Sequence, residues 1–118
     1  MEIDNLKRYI LEFTAFGKEP LHILFGALSE SKMCDDPNYA IHPILQLVKA
    51  GYLECYHHSG WAGDEYEKCT NLTEENLERY INIHAPNKFK EYPGPEEGGE
   101  FLFVTTEKGR QLIPDTFA

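Results

Sequence analysis

The 118-residue chain carries 20 acidic against 11 basic side chains, a formal charge of −9, with 42% hydrophobic and 13% aromatic residues. That apolar content suits one folded domain over residues 1–118 and excludes a disordered chain. The acidic balance repels phosphate backbones and anionic membranes and attracts basic partners. Ile3, Leu6, Ile10 and Phe13 recur at helical spacing with Gly17 as a C-cap, predicting a first helix over 3–15. Pro20 suits the first position of a second helix that buries Leu21, Leu24, Phe25 and Leu28. Ser29 to Asp36 is polar and predicts a turn. A third helix can start at Pro37, capped by Asp36, or at Pro43; the earlier start places Pro43 in a helix interior. The reading adopted is a main helix over 43–50 with a separate turn before it.

Gly51 ends that helix, and Tyr52 to His57 reads as a strand with Leu53 and Cys55 inward and Tyr52, Glu54 and Tyr56 outward. Asn71-Leu72-Thr73-Glu74 offers a capping box for another helix, with Leu77, Tyr80, Ile81 and His84 on one face. Pro93 to Gly99 is a cluster of breakers that predicts a mobile tip. A strand over 101–105 follows, then a closing helix capped by Thr106 and ended by Pro114.

No apolar run approaches the roughly 20 residues of a membrane span. The amino terminus has acids where a signal peptide needs bases, and three cysteines at unremarkable spacing suit a reducing compartment, so a cytoplasmic protein is expected.

Ile44, Leu47, Val48, Gly51 and Leu53, followed by Phe103, Thr106, Glu107, Lys108, Gly109 and Arg110, resemble the third helix, second and third strands and closing helix of a winged-helix domain. The resemblance implies an α+β fold: a winged-helix-like three-helix core, a small antiparallel sheet, an inserted wing helix and a closing C-terminal helix. The insertion spans about 59–98. The resemblance also implies a DNA-binding regulator, in which His42, Gln46 and Lys49 would face the major groove.

Three departures oppose that function. Asp35, Asp36, Pro37 and Pro43 stand where donors and an unbroken helix would be wanted. Residues 54–100 hold eleven acids against four bases, whereas the rest of the chain holds nine against seven. A wing of that charge opposes phosphate contacts. Leu102 and Val104 make the outer face of the last strand apolar, which predicts that the inserted helix covers it.

Cys55, His57, His58 and Cys69 are the one metal-like cluster, but Cys-x-His is too short for a zinc knuckle and Cys69 has no close partner. No metal or other cofactor is expected. No glycine loop joins a strand to a helix, and no nucleophile signature surrounds the cysteines, so an enzyme is not expected. Tyr56, Trp61, Asp64, Glu65, Tyr66 and Glu67 instead combine aromatic anchors with an acidic rim, a composition suited to protein contact. The chain is therefore read as an acidic protein-binding module, monomeric or homodimeric, for a partner with a basic surface. An inhibitor or immunity-type protein masking a toxin or enzyme is one such module. A DNA-binding regulator is the alternative reading.

Overall fold

The computed structural model describes residues 2–59 and 66–117. The fold is α+β: helix α1 (Asn5–Phe13), strand β1 (Glu19–Pro20), helices α2 (Leu21–Glu30) and α3 (Ile41–Lys49), strands β2 (Leu53–His58) and β3 (Glu67–Lys68), helix α4 (Glu74–His84), strand β4 (Glu100–Thr105) and helix α5 (Glu107–Arg110). The strands form one antiparallel sheet in the order β1-β4-β2-β3. Its centre is the β2–β4 pair, in register from Leu53 opposite Thr105 to His58 opposite Glu100. Ile10, Leu24, Phe25, Ile44, Leu47, Leu53 and Phe103 close the core between helices and sheet.

The helix ends explain where this differs from the sequence reading. Asp4 accepts from the Lys7 amide at 2.9 Å, so α1 starts at Asn5. It ends at Thr14 rather than at Gly17, because its last carbonyls find partners in the sheet. Thr14 Oγ1 bonds Ile10 O at 2.8 Å, Thr105 Oγ1 donates to Leu11 O at 2.7 Å, and the Thr105 amide donates to Thr14 O at 2.9 Å. With those carbonyls satisfied, no left-handed glycine is needed. Pro20 caps α2 from an extended conformation instead of opening it, and pairs with Leu102. A separate 3₁₀ turn, Pro37–Ala40, precedes α3 and is capped by Asp36. Helix α3 begins at Ile41, two residues before the expected start. Pro43 is then the third helical residue, where an N–H would have no intrahelical partner, so it costs no hydrogen bond.

Gly51, at φ +83°, ends α3. Its amide bonds Val48 O and that of Tyr52 bonds Leu47 O, the paired bonds of a Schellman cap. Lys108 Nζ adds a bond to Ala50 O at 2.9 Å, setting a cation at the negative helix end.

The segment between β2 and β4 departs furthest from expectation. Its capping box is set by Thr73 and Asn76, each accepting the other's amide, two residues beyond the Asn71–Glu74 pairing read from the sequence. Leu77, Tyr80, Ile81 and His84 are buried as expected. They pack on the helical side, against α3, the 37–40 turn and the ring of Phe25, 6.0 Å from that of Tyr80. Helix α4 therefore does not cover Leu102 and Val104, which stay half-buried on the other face of the sheet. The Pro93–Gly99 segment folds back instead of projecting as a tip. Gly99 has φ +76°, and a Cβ there would lie 2.1 Å from His58 O.

His84 is 1% exposed and neither ring nitrogen has a hydrogen-bond partner among the described residues. Burial lowers its pKa, against the opposing pull of Glu97, whose carboxylate lies 3.9 Å from Nδ1, and of Glu100. The unfolded chain then binds more protons below the ordinary histidine pKa of about 6.5. His84 should contribute full stability above that pH and lose it as pH falls toward the depressed folded value. Urea midpoints between pH 7.5 and 5 should drop less in His84→Phe than in the parent; equal drops would show that His84 is not responsible.

Candidate functional site

The pairing of β3 with β2 brings the expected aromatic residues together. Tyr56 lies opposite Lys68, and the Tyr66 ring stands edge-on to that of Tyr56 with centroids 5.9 Å apart. Lys18, from the segment before β1, sets its Nζ 4.6 Å from the Tyr56 centroid and 5.3 Å from that of Tyr66. A cation over two ring faces is attracted by both quadrupoles and fixes their orientation. Tyr56 Oη donates to Glu54 at 2.8 Å, and Lys68 Nζ lies 3.8 Å from the same carboxylate. That hydrogen bond, with burial, raises the Tyr56 phenol above its ordinary pKa.

Alternation along β4 puts Leu102 beside Tyr56 and Val104 beside Glu54 on this outer face. All four are half-buried, and Tyr66 is 45% exposed. The result is an aromatic and aliphatic patch with polar groups at its edge. Glu67 is exposed on β3 but opposite His57, so it belongs to the other side of the strand. Trp61, Asp64 and Glu65 lie outside the described residues. Leu102, Val104 and Lys18 were missed as site residues. The apolar outer positions of β4 were the available signal, but they were read as buried beneath α4.

On the other side of the sheet, a cleft of about 400 Å³ opens between β2–β3, α4 and the 97–99 turn. His57, Cys69, Asn71, Asn76, Arg79 and Phe101 contribute to its lining. His57 is tied there through Nε2 to Gly98 O at 2.7 Å, and its ring lies 4.9 Å from that of Phe101. His58 alternates to the opposite face, where Nδ1 bonds the Tyr92 hydroxyl. Of the residues read as a metal-like cluster, His58 is thus parted from the other three, and among the described residues no group of three or more His, Cys, Asp or Glu is placed to hold a metal ion.

His42, Gln46 and Lys49 are all exposed and lie along one stripe of α3. His42 Nε2 is 3.3 Å from Glu74, in the first turn of α4. Glu75 and Glu78 on α4, and Asp35 and Asp36 before α3, are also exposed. The Asn38 amides hold the Asp36 carboxyl below its ordinary pKa. A helix presented to a phosphate backbone with these neighbours would bring negative charge alongside its donors.

Compared with protein-family models, with curated proteins and with solved structures, the chain gives no significant match to any. Among the described residues no helix is long and apolar enough to cross a membrane.

Proposed function

We propose that this protein is a partner-binding module whose contact surface is the outer face of the sheet around Tyr56 and Tyr66. The observation that carries the reading is the edge-on tyrosine pair beneath Lys18, next to half-buried Leu102 and Val104. Aromatic anchors oriented before contact lose little side-chain entropy on binding, and a polar rim supplies register. With a net charge of −9, the favoured partner is a protein with a basic surface. An inhibitor or immunity-type role, masking the basic site of a toxin or enzyme, fits that chemistry.

The winged-helix relationship belongs to the same proposal. It draws support from three helices preceding an antiparallel β2–β4 pair and from α5 after it. The DNA-binding reading draws on the exposed α3 stripe but is opposed by the carboxylates beside it.

The test is to capture the partner by co-purification and mass spectrometry, then measure binding kinetics with that partner. Tyr56→Ala with Tyr66→Ala should speed dissociation roughly tenfold or more, the effect of losing a buried aromatic anchor. Raising salt should mainly slow association. Unchanged rate constants in a folded double variant would move the contact surface elsewhere. Saturable retardation of a palindromic duplex would favour the regulator.

A further inference from the structure

Cys55 and Cys69 have no role in the contact surface, and their placement has its own chemistry. The β2–β3 register runs from His57 opposite Glu67 to Tyr56 opposite Lys68, so the next step sets Cys55 opposite Cys69. The Cys69 amide donates to Cys55 O at 2.8 Å, which extends the ladder to this pair. Directly opposed residues of a hydrogen-bonded antiparallel pair have Cα atoms about 5.5 Å apart and side chains on one face, inside the range a disulfide spans. The exposures of the two thiols differ sharply. Cys55 is 1% exposed, whereas Cys69 is only half-buried, lines the cleft and has its Sγ 3.6 Å from the Asn71 amide oxygen.

We propose that Cys55 and Cys69 form a thiol–disulfide exchange site, in which Cys69 reacts with a small disulfide entering the cleft and Cys55 resolves the product into an intramolecular bond. In the first step the Cys69 thiolate attacks one sulfur of the small disulfide RSSR, forming a mixed disulfide and expelling RS⁻. In the second, the Cys55 thiol gives up its proton and its sulfur attacks Cys69 Sγ, forming the Cys55–Cys69 bond and expelling the second RS⁻. The two protein thiols lose two electrons and two protons, and RSSR becomes two RSH. Burial raises the Cys55 pKa, so Cys55 is the resolving and not the attacking thiol. The third thiol, Cys34, is buried in the loop after α2 and donates to Asp36 O at 2.8 Å, outside this pair. The product would fasten the edge strand β3 to β2 covalently. This inference stands whether or not the outer face binds a partner.

The experiment uses the full chain carrying Cys34→Ser, so that only this pair can react, and oxidised glutathione as the probe. Intact mass should show the loss of two hydrogens with no retained glutathione, both thiols should become unreactive, and a peptide map should recover residues 55 and 69 linked. Adding Cys55→Ser should instead trap a stable glutathione adduct on Cys69. If that variant fails to fold, Cys69→Ser serves in its place and should leave the buried Cys55 unmodified. A glutathione adduct that persists on Cys69 with Cys55 present would overturn the proposal. So would a bond that forms only between two molecules.

Discussion

Gly109→Ala is expected to cost about 3 kcal/mol of folding stability, a large effect for one methyl group. Gly109 is buried in α5, and a Cβ there would lie 2.2 Å from Tyr52 O and 2.8 Å from Thr105 Cγ2. Tyr52 O cannot yield, because it accepts the Thr106 amide at 3.1 Å. Thr106 Oγ1 in turn donates to Gly51 O at 2.7 Å and accepts the Gly109 amide at 3.1 Å. Relieving the contact therefore means backing α5 away from the α3–β2 junction and breaking those bonds together. The same substitution at Gly26 is the control. A Cβ on that residue of α2 meets nothing within 4 Å, so Gly26→Ala should stabilise by about 0.5–1 kcal/mol through helix propensity. Urea unfolding followed by circular dichroism measures both. Two changes of the same sign and size would mean that α5 is not held as tightly as these contacts require.

These contacts mark how far the sequence could be read. The periodic apolar residues of the first three helices, the Gly51 stop and the Thr106 cap were legible because each depends on a few adjacent residues. The two edge strands were not. Glu19–Pro20 and Glu67–Lys68 are two residues long and carry no apolar alternation; pairing with β4 and β2 is what makes them strands. The side of the core on which α4 lies was equally hidden, since its apolar stripe says only that one face is buried. For the candidate site, Tyr56 and Tyr66 were legible as aromatic residues near acids. Their edge-on contact and the cation above them arise from β3 and from Lys18, far away in sequence.

Glu100 shows the strongest long-range effect. Counted along the chain it is one more of the eleven acids of residues 54–100, yet it is 0% exposed. Its carboxyl group accepts from Tyr80 Oη at 2.7 Å and from the Phe101 amide at 2.8 Å, and lies 2.5 Å from His22 Nδ1. One side chain thereby ties helices α4 and α2 to the first residue of β4. Burial, with the neighbouring Glu100, pushes the Tyr80 phenol well above its ordinary range and keeps it a donor. Glu100→Leu should cost about 3–5 kcal/mol, because it leaves the buried Tyr80 hydroxyl and the half-buried His22 ring without this partner. Glu100→Gln keeps a carbonyl for Tyr80 and should lose only about 1–2 kcal/mol. Combining Glu100→Leu with Tyr80→Phe removes one of the stranded groups, so the pair should destabilise less than the sum of the single changes. Additive losses in that cycle, or a Leu variant as stable as the parent, would show that the carboxyl group does not hold α4 to the sheet.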